Sequence, residues 1–152
     1  GLGVDGARIC VAGHSAGGHL AAMAMATDWQ QWGGVPADLV KGAVSVSGIY
    51  DLEPMRLCYH QAALKLDPAA VARLSPARLK PLSGDRLVLT VGDKEPGEFH
   101  RQQAELASAW SRAGLAVETI PAKRLDHFEI VPRLADPDHA IGRAALRLAL
   151  RP

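Results

Sequence analysis

The residues best suited to chemistry stand in "GHSAG", Gly13–Gly17, where Ser15 lies between a short apolar run and an alanine-rich one. A serine hydroxyl is a weak nucleophile at neutral pH and needs a neighbouring base to take its proton. In a nucleophile elbow the serine occupies a strained turn between a strand and a helix, which lifts its hydroxyl clear of the sheet. Glycines two residues before and two after remove side chains that would strike the neighbouring backbone. Alone the pattern is weak, and its context carries it. "RICVAG" (Arg8–Gly13) has the make-up of a buried strand, and "HLAAMAMAT" after it is helix-like, with Leu20, Met23, Ala24 and Thr27 on one face. The backbone N–H of Ala16, directly after the serine, is then placed to bind an oxyanion.

Six histidines compete for the role of base. His14 and His19 flank the elbow and read as packing or supporting residues. His60 falls in an irregular stretch and reads as surface; His100 and His139 belong to helix starts and read as solvated. His127 differs, because "AKRLDHFEIV" follows the last strand-like run, where the chain crosses above the strand ends. The order nucleophile, acid, base along the chain makes it the candidate base. The acid, which orients the imidazole and stabilises its charged form, is sought after the strand in between. "LVLTVGDKEPGEF" offers Asp93, Glu95 and Glu98. Glu98 reads as a helix-opening carboxylate. Asp93 and Glu95 both stay open, since spacing does not separate them. Asp51 is an outside candidate, and Asp126 adjoins His127 on a chain where adjacent side chains diverge.

Strand-like and helix-like runs alternate around these residues. Further strands are expected over Lys41–Gly48, Arg86–Gly92 and Ala116–Ala122. A strong helix spans Glu98–Gly114, with Phe99, Gln103, Leu106 and Trp110 on one face. A last helix follows Asp136 as N-cap, with Pro137 at its first position. Residues 50–84 carry four prolines and read as an irregular excursion with one or two short helices. Within it Met55, Leu57 and Tyr59 either line the leaving-group side of the site or pack the excursion. The alternation implies one α/β domain over residues 1–152, a mostly parallel sheet with helices on both faces.

Composition narrows the function classes. With 48% hydrophobic and 22% charged residues in 152, the chain reads as globular. A net charge of +1 with no basic cluster speaks against a nucleic acid or membrane partner and leaves a small-molecule substrate. No glycine-rich phosphate loop and no zinc-ligand spacing appears, so neither an organic cofactor nor a metal is expected. Two cysteines, Cys10 and Cys58, are too few for a disulfide scaffold and read as reduced thiols. The first residues, "GLGVDGARIC", lack the make-up of a signal peptide, and with the thiols they lead us to expect a cytoplasmic protein.

"GHSAGGHLAA", "VSGIYDLEPM", "VGDKEPGEFHRQ" and "LDHFEIV" resemble the α/β-hydrolase fold, in particular its arylformamidase (kynurenine formamidase) branch and the esterases of the hormone-sensitive-lipase-like group. The resemblance runs from about Arg8 to Leu150. It implies Ser15 as nucleophile, His127 as base and, counting back from "EFHRQ", Glu95 rather than Asp93 as acid. It also implies cofactor-free cleavage of small acyl substrates through an acyl-enzyme: N-formyl amides of aromatic amines such as N-formylkynurenine, or small aryl and short-chain esters. One departure stands out. Such hydrolases carry several strands and an HGG-type loop, the source of a second oxyanion donor, ahead of the elbow, and this sequence has no HGG. We therefore expect the C-terminal portion of a hydrolase, without the N-terminal strands, whose elbow strand exposes an edge. The implied partner is the remaining N-terminal half or a second copy of the chain. The competing reading is a catalytically silent fragment or binding module that keeps the elbow as architecture.

Overall fold

A computed structural model describes residues 5–150. Four parallel strands, β1 (Cys10–His14), β2 (Gly42–Val46), β3 (Arg86–Gly92) and β4 (Ala116–Ala122), lie side by side in sequence order. Cys10 pairs with Gly42, Gly42 with Arg86 and Arg86 with Ala116, so the strands start level and the chain leaves β1 and β2 at the same end. Parallel neighbours need a crossover between them. The crossovers contain α1 (Ala16–Ala26), then α2 (Glu53–Arg56), α3 (Gln61–Leu64) and α4 (Pro68–Leu74), then α5 (Gly97–Arg112); α6 (Ala140–Ala149) follows β4.

Helices cover both faces of the sheet, as expected for this class. On one face Ala21, Ala22 and Met25 of α1 and Leu106 and Trp110 of α5 pack on Ala43, Leu87 and Leu89. On the other, Ile141, Ala144 and Leu148 of α6 pack on Val44, Val46 and Val88. β2 is buried at every position because both of its faces are covered. The Trp110 indole N–H donates to the carbonyls of Pro76 and Leu79, which fastens α5 to the end of the 50–84 excursion.

β3 and β4 match the sequence expectation residue for residue, and β1 and β2 fall within two residues of it. Three expectations are corrected. α1 turns Gly18, Ala21, Ala22 and Met25 to the sheet, while Leu20 is 65% exposed, because the helix lies too close for larger side chains. A Cβ added at Gly18 would sit 2.8 Å from Gly48 Cα and from Ser45 Oγ. α6 begins at Ala140 with His139 as its cap, accepting from the Ile141 N–H at 3.3 Å. Asp136 instead accepts from the Asp138 N–H at 3.0 Å, so Asp136-Pro137 closes a turn ahead of the helix. The excursion holds three short α-helices and a 3₁₀ turn, Pro76–Arg78, rather than one or two helices. Among the described residues Cys10 and Cys58 form no disulfide. Among the described residues no helix is long and apolar enough to cross a membrane.

Candidate active site

Ser15 is the single residue between the end of β1 and the start of α1, with φ 56° and ψ −118°. An L residue held there costs about 1–3 kcal/mol and persists only where its surroundings impose it. The Ser15 N–H donates to Val46 O at 2.9 Å, and the His19 N–H donates to Ser15 O at 3.0 Å. The turn is so tight that a Cβ on Gly13 would lie 2.1 Å from Gly17 O. A Cβ on Gly17 meets nothing within 4 Å, so of the two motif glycines only Gly13 is sterically required here. Ala16 opens α1, and the first N–H groups of a helix have no acceptor within it. The positive end of the helix dipole therefore lies beside the serine hydroxyl.

Across the strand ends, the turn after β3 is bonded to the loop after β4: the Asp93 N–H donates to Ala122 O (3.0 Å) and the Lys94 N–H to Leu125 O (3.2 Å). That pairing fixes Glu95 against His127, with Glu95 Oε2 2.6 Å from His127 Nδ1. On the opposite side of the ring His127 Nε2 lies 3.0 Å from Ser15 Oγ, 112 residues away along the chain. With Glu95 ionised, Nδ1 donates to the carboxylate and Nε2 accepts from the hydroxyl. Glu95 is only 7% exposed, and a buried carboxylate must be hydrogen-bonded. Its Oε1 accepts from Ser47 Oγ at 2.5 Å and from the Gly92 N–H at 2.8 Å. The His127 ring is flanked by His14 (centroids 4.4 Å apart) and Phe99 (5.0 Å). Burial pushes the His14 imidazole below its ordinary pKa, and the adjacent His127 adds to the effect.

The other candidates take different partners. Asp93, the acid that spacing left open beside Glu95, is exposed and accepts from the Arg124 N–H at 2.6 Å. Asp51 pairs with Arg78 and Arg101. Asp126 accepts from the N–H groups of Phe128 and Glu129, closing the turn that carries His127. Glu98 lies in the first turn of α5, where Arg101 holds its carboxyl down at about 2. His19 Nε2 lies 2.8 Å from Leu74 O, joining α1 to the excursion. His60 is exposed and lies 3.3 Å from Cys58 Sγ, whereas His100 and His139 are half-buried rather than solvated.

Two site residues escaped the sequence reading. Ser47 touches the acid, and Gln102 Oε1 accepts from the N–H groups of Tyr50 and Asp51, pinning the chain after β2. The helical face was expected to include Gln103, one residue along. A serine just before a glycine at a strand end is the only sequence signal Ser47 offers.

Ser15 and His127 open onto a cavity of about 550 Å³ that is mainly apolar, walled by Ile49, Pro54, Met55, Tyr59, Phe99 and Phe128. Met55 and Tyr59 line it as expected; Leu57 does not and is 70% exposed. Among the described residues no cluster of three His, Cys, Asp or Glu side chains is arranged to hold a metal ion.

No protein-family model matches the chain. It is 37% identical to the kynurenine formamidase of Danio rerio over 150 residues, 95% of this chain and 50% of that protein. The Salmo salar kynurenine formamidase is likewise 37% identical, over 151 residues and the same shares. The chain thus spans about half the length of the curated relatives it matches. Among solved structures, a candidate thioesterase from Silicibacter sp. superposes with a TM-score of 0.80 at 27% identity, over 94% of this chain and 52% of that one. An esterase from Pyrobaculum calidifontis superposes at 0.65 and 20% identity, over 97% and 54%, which bears on the fold alone. The chain is thus similar in sequence to kynurenine formamidases over about half their length, and its fold is that of part of an α/β-hydrolase.

Proposed function

We propose that the chain is the catalytic portion of a serine hydrolase that cleaves a small acyl substrate through an acyl-enzyme. The observation that carries this reading is the unbroken hydrogen-bonded path from Ser15 Oγ through the His127 imidazole to the buried Glu95 carboxylate. Ser15 attacks the carbonyl carbon while His127 Nε2 takes the hydroxyl proton, and Glu95 stabilises the imidazolium that forms. The Ala16 N–H donates a hydrogen bond to the developing oxyanion at the start of α1. His127 then gives its proton to the leaving amine or alcohol. Water, deprotonated by the same imidazole, releases the acid and restores Ser15.

The apolar, aromatic cavity beside Ser15 suits an aryl leaving group. The likeness to kynurenine formamidases supports N-formyl aryl amides as the leading substrate class, with small esters as the second. A second oxyanion donor is worth on the order of 10²–10³ in turnover. We assign it to the N-terminal half of the hydrolase or to a second copy, docked along the open edge of β1. The two cysteine thiols favour a cytoplasmic setting. Turnover of N-formylkynurenine and p-nitrophenyl acetate by the full-length protein tests the assignment. A higher kcat/KM for the formamide is expected; ester turnover without formamide turnover moves the protein to the carboxylesterases, and neither activity overturns the proposal.

A further inference from the structure

Among the described residues four that are not glycine have positive φ: Ser15 (56°), Ser47 (49°), Lys65 (50°) and Arg124 (62°). Lys65 caps α3. The other three lie at the carboxyl ends of the strands, around the serine. Ser15 owes its conformation to the elbow, and the Arg124 N–H is aimed at Asp93. The Ser47 N–H donates to Thr90 O at 2.8 Å, a bond that a glycine in its place would make equally well. Glycine would adopt this conformation without the penalty an L residue meets there, yet the chain holds a serine in it with a glycine as next residue.

The side chain supplies the reason. Ser47 is buried, and its hydroxyl donates to Glu95 Oε1 at 2.5 Å. The same oxygen accepts from the Gly92 N–H at 2.8 Å, while Oε2 meets His127 Nδ1. The last torsion of a glutamate is soft, so without Ser47 the plane of the carboxylate rests on Gly92 at Oε1 and on the His127 ring it is meant to orient. Two donors, from the ends of β2 and β3, fix its plane. We propose that Ser47 is a positioning residue that holds Glu95 so that Oε2 stays on His127, and that the left-handed backbone at Ser47 is kept for this purpose. The inference rests on the hydrolase reading above. Ser47 touches no reacting atom and acts through Glu95.

Ser47→Gly removes the hydroxyl and relieves the backbone. The expected result is a kcat lower by about ten-fold or more, a KM within about two-fold, and a Tm equal to or above that of the parent. Ser47→Ala keeps the strained backbone, so it should match Ser47→Gly in kcat and melt below it. In a Glu95→Gln background Ser47→Gly should change kcat less than about two-fold, since the two act as one unit. The far-downfield proton resonance of His127 Nδ1–H should move in Ser47→Gly. An unchanged kcat with an unmoved resonance overturns the proposal, as does a full-sized loss in the Glu95→Gln background or a change confined to KM. A parent protein inert toward every acyl substrate would defeat the hydrolase reading. The resonance would then still report separately whether Ser47 sets the Glu95–His127 contact.

Discussion

At the carboxyl ends of β1 and β2, and in the loop after β4, the chain adopts left-handed backbone at Ser15, Ser47 and Arg124; no member of either core beneath does so. The cores are ordinary: valine, leucine, isoleucine and alanine on alternate strand positions, closed by Trp110 on one face and Ile141 and Leu148 on the other. The rim buries a carboxylate and packs two imidazoles against each other, both of which disfavour folding. The contrast separates what the molecule uses for stability from what it uses for chemistry. Substitutions at the rim should therefore change rate and leave Tm unmoved or raised, and substitutions in the cores should lower Tm and leave the rate of the folded fraction unchanged.

The largest rate effect that discriminates within the rim belongs to the acid. Glu95→Gln should lower kcat by about 10²–10⁴-fold, whereas Asp93→Asn, whose carboxylate only accepts from Arg124, should stay within about two-fold of the parent on a p-nitrophenyl ester. Crippling of Asp93→Asn with Glu95→Gln intact would reverse the assignment. In the body, Trp110→Ala should cost about 3–5 kcal/mol of unfolding free energy, read by denaturant titration, with kcat of the folded fraction close to that of the parent. A loss of kcat without loss of stability would break the division.

A smaller effect concerns the two edges of the sheet. β4 ends the sheet with Pro121, which lacks an N–H, and with Glu118 paired to Arg86 and Arg147. Such features discourage another strand from adding. β1 carries no charged Asp, Glu, Lys or Arg, and its Ala12 is exposed. Ala12→Lys should weaken association of the chain through that edge in sedimentation velocity, and an equal charge placed on β4 should not. If both variants sediment as the parent does, the edges are equivalent.

The smallest effect is titration at His14. Its pKa lies below the ordinary imidazole value when folded, so the unfolded chain binds more protons as pH falls through about 6.5. This contribution is fully present above that pH and is lost as pH falls through the folded value. Of the groups facing it, the charge on His127 adds to the lowering, while the backbone of His127 and the Glu95 carboxylate oppose it. Between pH 8 and pH 5 the parent should lose more Tm than His14→Gln. Equal slopes would remove His14 as the source.

Much of this was readable from residue order, and the exceptions share a cause. β3 and β4 were legible because their runs are bounded by Gly92 and Gly114 and sit in strongly patterned sequence. The contact face of α1 was not, because periodicity looks for large apolar residues and this helix meets the sheet through Gly18, Ala21 and Ala22. Asp136-Pro137 carries a helix-start signal that a turn uses instead. At the site, motif and chain order singled out Ser15 and His127. Asp93 and Glu95, two apart on one turn, could be separated only by the loop after β4, which gives each a different partner. Ser47 was invisible because its role depends on a carboxylate 48 residues away.

The central claim is that Ser15 is a nucleophile activated by His127, and a fluorophosphonate probe tests it most directly. Incubation with the full-length protein followed by peptide mass spectrometry should find the phosphonyl group on Ser15. Labelling should vanish in Ser15→Ala and slow sharply in His127→Gln, with both variants folded. A folded parent left unlabelled, or one labelled on another residue, would contradict the account.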